Sequence, residues 1–235
     1  PTLTIRIPAL LTCLACLAPA SAQGPSNKVE VDKKNRTVAI ECVVAPRKVR
    51  DQIYPIEVIA TFAAPKGQKA HETVVNYTVK PSEVHKALES LGLKAGEPAY
   101  GEGPAAKGPE VDVFLELPGD GGKTRKVRIE EVLVDMKSGK ALPKLTWLFT
   151  GSKMSFPDPE KDDKVYGADL TGTLLTLFPV TNETVLQTSL TFAQEKSLKV
   201  ETNSKVLPKV GTPIKLIIQA RCQRLRKRIH RRGCR

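Results

Sequence analysis

Apolar and polar residues alternate along several short stretches of the chain, the pattern of strands that bury one face. The stretches 29–32 and 37–44 flank the polar turn Lys34-Asn35-Arg36, so they predict a β-hairpin. The stretch 125–135 is expected to pair back on 111–117 through a turn rich in glycine. The same pattern predicts further strands at 54–63, 73–79, 146–149, 168–177, 184–192 and 213–220.

One segment has the period of a helix instead. Pro81 suits a first helical turn, and Gly92 can adopt the left-handed conformation that ends a helix. We therefore expect an α+β fold that is predominantly β, with antiparallel sheets or a sandwich and one clear helix near 81–91. Four apolar residues of this segment recur at i, i+3, i+4 and i+7, namely Val84, Ala87, Leu88 and Leu91.

The start of the chain indicates export. Arg6 precedes an apolar run over 7–18, which is shorter than the roughly 20 residues that cross a bilayer. The run is followed by Ala20-Ser21-Ala22, the small-x-small pattern of a secretory signal. We predict a signal peptide over 1–22, a single β-rich domain over 23–220, a periplasmic or secreted location, and no transmembrane segment in the mature chain.

Positive charge is concentrated at the other end. The formal net charge is +12, and residues 221–235 contain eight basic residues and no acidic one. We expect this basic tail to be disordered, or alternatively to bind an anionic surface or an envelope polymer. Nucleic acid is an unlikely partner for an exported protein. The residues that would contact a polyanion are Arg224, Arg226, Lys227, Arg228, Arg231 and Arg232.

Few side chains are candidates for chemistry. His71, Glu72 and His85 could hold a divalent metal, although a turn contact for His71 and a polar contact at a helix–sheet seam for His85 are the simpler interpretation. Trp147 and Asp169 are candidate ligand-binding residues. The cysteines that follow the leader form no Cys-x-x-Cys pair, which argues against thiolate zinc and iron–sulfur centres.

Two motif-like stretches do not meet their requirements. Gly121-Gly122-Lys123-Thr124 lacks the earlier glycine of a phosphate-binding loop and precedes a predicted strand, so we interpret it as a hairpin turn. The stretch 158–169 has the oxygen spacing of a calcium loop, but Asp163 stands where glycine is required, which favours an acidic surface loop.

The pattern around the two histidines is similar to a known family. The stretch from His71-Glu72 to His85, with Trp147–Ser152 and Tyr166–Gly172, resembles the YdjY-like domain family over about residues 27–218. That family occurs in exported proteins of planctomycete-type bacteria, and its activity is not established. The resemblance implies that His71, Glu72, His85 and Asp169 would be the positions of any shared site. Some relatives are labelled ferredoxin-like, but this chain lacks the clustered cysteines of an iron–sulfur protein.

These observations predict an exported soluble envelope protein that is a non-catalytic binding or accessory module, without a cofactor. One alternative is a metal-binding or redox-accessory protein that uses His71, Glu72 and His85. The other alternative is a protein that binds polyanions through its basic tail.

Overall fold

The computed structural model describes residues 27–49, 52–158 and 160–221. The predicted leader and the six polyanion-binding candidates from Arg224 to Arg232 lie outside these residues. Within the described part, the α-helices are α1 (Pro81–Ser90), α2 (Gly167–Thr171) and α3 (Phe192–Ser197). The strands are β1 (Val29–Asp32), β2 (Thr37–Val44), β3 (Lys48–Val49), β4 (Gln52–Ile53), β5 (Val58–Phe62), β6 (Thr73–Tyr77), β7 (Glu110–Pro118), β8 (Thr124–Arg128), β9 (Leu133–Asp135), β10 (Trp147–Phe149), β11 (Met154–Ser155), β12 (Val165–Tyr166), β13 (Thr173–Thr176), β14 (Leu186–Thr188), β15 (Val200–Thr202) and β16 (Pro213–Ala220).

Eight of the strands form one sheet that closes on itself like a barrel. Their order is β2-β16-β7-β10-β14-β13-β5-β6, and β6 pairs with β2 to complete the circuit. The pairs β5–β6 and β13–β14 are parallel, and the other pairs of the circuit are antiparallel. β1 extends the sheet beside β2, and β8 extends it beside β7.

The expected β-rich fold with a helix near 81–91 is confirmed. The expectation of antiparallel sheets or a sandwich differs from the structure in two respects: the sheet closes on itself, and two of its pairs are parallel. In β2, β7 and β16 every second residue is buried and apolar, and most polar residues lie on the opposite face, which also carries Val43, Phe114 and Ile217. By contrast, β5, β6, β13 and β14 are buried almost throughout, because both of their faces are covered. One sheet therefore contains both kinds of strand: strands with one face open to solvent, and strands with both faces buried.

The helix α1 buries the face that its sequence predicted. Val84 and Leu88 are fully buried, and Leu91 is nearly so. Pro81 occupies the first turn, and Gly92 adopts a φ of 83° directly after the helix, so both ends match their sequence signals.

Two strand predictions were wrong in part. The stretch 168–177 begins as α2, and the strand starts only at Thr173, because Gly172 adopts a φ of 69° and ends the helix. The stretch 125–135 pairs with β7 only as far as Arg128. A 3-10 helix then redirects the chain, and β9 pairs with β15 instead.

None of the helices in the described ranges has the length and apolar composition that a membrane-spanning helix needs.

Candidate functional site

The candidate site lies beside the carboxyl end of β6, where His85 of α1 packs against two aromatic rings. Its ring centroid is 5.0 Å from that of Phe149 and 5.3 Å from that of Tyr166. Gly151 adopts a φ of 68°, and a Cβ atom there would lie 2.9 Å from the Ala95 Cβ and 3.2 Å from the His85 Cε1. Glycine at 151 therefore provides the space that the imidazole occupies.

Hydrogen bonds fix the orientation of this imidazole. The Tyr166 hydroxyl lies 2.7 Å from His85 Nδ1 and accepts the Ser152 backbone N–H at 3.1 Å. The phenol can satisfy its own O–H by donating to Nδ1, and we infer that it does so, which places the imidazole hydrogen on Nε2. Nε2 faces Glu89 Oε1 at 3.4 Å, one helical turn further along α1.

The phenol of Tyr166 is held in its neutral form. Burial raises the pKa of Tyr166 well above its ordinary value, and the Asp169 and Glu89 carboxylates act in the same direction against the hydrogen bond from Ser152. A neutral phenol can donate and accept at once, which is what its two partners require.

Asp169 caps the amino end of α1 from a different element. Lys80, at the N-cap of α1, provides no side-chain cap. Instead, Asp169 Oδ1 accepts the Ser82 backbone N–H at 2.8 Å, and Oδ2 accepts the Ser82 hydroxyl at 2.6 Å. A carboxylate here satisfies free N–H groups and complements the positive end of the helix. Tyr166 and Asp169 thus both fasten α1 to the segment that contains β12 and α2.

His71 and Glu72 lie at the opposite end of β6, in a cluster of charged side chains. His71 Nε2 is 3.1 Å from Glu72 Oε1, and Lys69 Nζ lies 2.9 Å from Glu72 Oε2 and 2.7 Å from Glu57 Oε2. Glu57 directly precedes β5 and Glu72 directly precedes β6, so the parallel pairing of these strands brings the two carboxylates together.

The two carboxylates respond differently to this environment. Burial and the neighbouring Glu72 raise the pKa of Glu57 above its ordinary value, although Lys69 opposes the shift. Burial also acts against ionisation of Glu72, but hydrogen bonds with Lys69 and Glu57 outweigh it and lower the pKa of Glu72. Glu57 is therefore the carboxyl that retains a proton more readily.

Arg47 connects this charged cluster to the peripheral strand β15. Its guanidinium makes two bonds to the Glu201 carboxylate, at 2.8 and 3.0 Å, and donates to the His71 carbonyl at 3.2 Å. Such a paired geometry is the strong form of an arginine–carboxylate contact.

The remaining candidate, Trp147, is buried in the interior of the sheet. Its indole N–H donates to Glu130 Oε1 at 3.1 Å, and the same oxygen accepts the Leu145 backbone N–H at 2.9 Å. The contacts of Trp147 and Asp169 are thus to different parts of the protein, and the structure does not bring these two side chains together.

The possible metal ligands are also separated. His71 and Glu72 precede β6, whereas His85 follows it. In the part of the chain that the structure describes, no group of three or more His, Cys, Asp or Glu side chains is arranged to hold a metal ion. A single site formed by His71, Glu72 and His85 therefore stays a prediction without geometric support.

Sequence reasoning missed several partners of these histidines. Glu89 could have been found from its i+4 spacing to His85. Tyr166 and Ser152 come from distant segments, as do Glu57 and Arg47 at the other cluster, so no local spacing indicates them.

A two-stranded ribbon, β11 and β12, projects beside the candidate site. Met154 pairs with Tyr166, so both side chains lie on one face of the ribbon, and Lys164 lies over the ring of Phe156 further along it. The Met154 and Phe156 side chains are 52% and 50% exposed. Beyond Phe156 the ribbon ends in an acidic tip at 157–163, in which Glu160, Asp162 and Asp163 are exposed, as expected of an acidic surface loop.

The fold and the site together define a class: a β-rich domain with a closed sheet whose first long helix is fastened by a tyrosine and an aspartate from a second helical segment. The family model for the YdjY domain matches residues 29–219. The chain therefore belongs to the YdjY domain family. Comparison with curated proteins and with solved structures gave no significant match.

Proposed function

We propose that this chain is a non-catalytic binding or accessory module that acts outside the cytoplasm, in the cell envelope. The signal-like leader supports the location. The binding surface that we assign is the face of the β11–β12 ribbon that carries Met154 and Phe156, together with the adjoining edge of His85 and Glu89.

The observation that carries this proposal is the exposure of Met154 and Phe156. These two side chains are adjacent on one face of the ribbon, and about half of each is open to solvent. Neighbouring exposed apolar side chains on a folded domain are typical of interaction surfaces. The Glu89 carboxylate, also half-exposed, adds an acceptor beside them. This combination suits an envelope polymer that offers both apolar faces and hydroxyl groups.

The chemistry of the surrounding side chains favours binding over catalysis. The Ser152 hydroxyl donates to the Lys153 carbonyl at 2.9 Å and accepts the Ala168 N–H at 2.9 Å, so it is committed to the fold. Tyr166 is held as a neutral phenol. The thiol of Cys42 is fully buried, and burial raises its pKa. An activated nucleophile needs the opposite: a neighbouring base or a lowered pKa.

Co-sedimentation with purified peptidoglycan sacculi tests the proposal. We expect the mature chain to sediment with sacculi, and Phe156→Ser to reduce the bound fraction severalfold. Tyr100→Ser is the matched control, because Tyr100 is also an exposed aromatic residue, at 61%, but lies in a different loop. The proposal would be contradicted if Phe156→Ser and Tyr100→Ser left the same bound fraction, or if the unmodified chain did not bind sacculi.

A further inference from the structure

The ribbon that we assign as the binding surface also has an acidic tip, in which one of the four carboxylates forms an ion pair. Asp158 forms an ion pair with Lys161 at 3.0 Å. Glu160, Asp162 and Asp163 form no ion pair with any other residue in the described ranges, and all three are exposed. The ribbon therefore combines exposed apolar side chains, beside Lys164, with three carboxylates at its tip that have no ion-pair partner in the described ranges.

The basic tail of the same chain has the complementary composition. Residues 222–235 contain seven lysine and arginine residues and no acidic residue. Leu225 and Ile229 lie four positions apart within this run. Apolar side chains flanked by cations are what a surface of Met154, Phe156 and three free carboxylates would bind.

The contacts of Arg221 fix where the tail begins. Its backbone N–H donates to the Glu110 carbonyl, and its guanidinium binds Asp112 at 2.7 and 3.0 Å, with a further contact to the Glu110 carboxylate. Glu110 and Asp112 belong to β7, on the side of β16 that faces β10. The ribbon begins after the carboxyl end of β10.

The distance from the end of β16 to the ribbon is short enough for the tail to reach it. Ala220 pairs with Val111, and Val111 pairs with Trp147, so the end of β16 is level with β10. Two strand spacings separate them, which is about 10 Å. Fourteen extended residues can span roughly 45 Å, so residues 222–235 can reach the ribbon even if part of the segment is not extended.

We infer that residues 222–235 dock on the Met154 and Phe156 face of the β11–β12 ribbon of their own chain, with Leu225 and Ile229 against these two side chains and the arginines beside the acidic tip. The tail would then compete with an external ligand for this surface. This inference shares its surface with the proposed function, but its test measures the contact itself, so failure of the contact and failure of sacculus binding are distinguishable.

Paramagnetic relaxation in the full mature chain tests the contact. Cys222→Ser leaves Cys234 as the accessible thiol for a nitroxide label, since Cys42 is fully buried. We expect loss of amide signal intensity at residues 154–166. The control is β8, a largely exposed strand that pairs only with β7 among the described strands, where the intensity should be unchanged. High salt should restore the lost intensity.

A charge-reversal variant shows whether the tip is responsible. Glu160→Lys, Asp162→Lys and Asp163→Lys together should restore the signals of the ribbon, whereas Glu102→Lys with Asp120→Lys, at other exposed acidic positions, should not. Unchanged intensity at 154–166 in the labelled parent would overturn the inference. Signal loss in a mixture of isotope-labelled chains with separate nitroxide-labelled chains would overturn it too, because the contact would then join two copies.

Discussion

The two ends of β6 each have a histidine cluster, and different forces hold the two clusters together. At the carboxyl end, His85 is fixed by a neutral phenol, a glycine that leaves space, and a capped helix. At the amino end, His71 belongs to a set of charged groups with Glu72, Lys69 and Glu57. Packing and hydrogen bonds to a neutral phenol depend little on salt, whereas partly exposed ion pairs are weakened by it. We therefore expect mutations at the carboxyl end to cost more stability, and those at the amino end to depend on solution conditions.

The largest effect should come from Gly172→Ala, at the carboxyl end. Gly172 has a φ of 69°, and a Cβ atom there would lie 2.3 Å from Phe62 Cδ2. Backbone strain and overpacking together predict a loss of roughly 3 kcal/mol in the free energy of unfolding. Denaturant unfolding measures it. Gly92→Ala is the control: its φ is 83°, but nothing lies within 4 Å, so about 1 kcal/mol is expected. Equal losses would show that the packing at Phe62 is not tight.

A smaller loss should follow Tyr166→Phe. The substitution removes the hydroxyl that serves both His85 Nδ1 and the Ser152 N–H, and leaves two partly buried polar groups without it. We expect a loss of about 2 kcal/mol by denaturant unfolding. Tyr100→Phe removes a hydroxyl from a ring that is 61% exposed, so it should change stability by less than about 0.5 kcal/mol. A negligible effect at Tyr166 would contradict the role of its hydroxyl.

Glu72→Gln, at the amino end, should cost about 1 kcal/mol at neutral pH and low salt. Because the pKa of Glu72 is lowered by folding, its stabilisation is present above the ordinary glutamate value of 4.5 and is lost as pH falls through the pKa of the folded state. The difference between the variant and the parent should therefore shrink between about pH 7 and about pH 3. Unfolding curves at both pH values and at two salt concentrations measure this, and a difference that grows on acidification would refute the assignment.

The smallest effect should come from His71→Ala. This side chain is 37% exposed, and its polar contact is to a glutamate that Lys69 also binds. His71→Ala removes one ring contact, with Tyr54 at a centroid distance of 4.9 Å, whereas His85→Ala removes two. We therefore expect a loss of about 0.5 kcal/mol for His71→Ala, below that of His85→Ala. Thermal unfolding of the two variants side by side gives the comparison. If the order is reversed, the contrast between the two ends of β6 is wrong.

Local patterns in the sequence predicted the individual helices and strands better than the way in which the strands pair. The apolar stripe of α1 and the alternation of β2, β7 and β16 specify which face is buried, so those elements were predictable. Closure of the sheet depends on the pairing of β6 with β2 and of β13 with β14, and no local period contains that information. The same limit applies to the site: His85 was identified beforehand as a polar residue at a seam, but its partner Tyr166 is 81 residues away.

The position of the hydrogen on the His85 imidazole tests the account most directly. Long-range proton–nitrogen NMR of the selectively labelled histidine distinguishes a hydrogen on Nε2 from one on Nδ1. The account predicts that the hydrogen is on Nε2, that Nδ1 accepts from Tyr166, and that Tyr166→Phe changes the Nδ1 signal while leaving His71 unaffected. A hydrogen on Nδ1 in the parent protein, or no response of His85 to Tyr166→Phe, would contradict it.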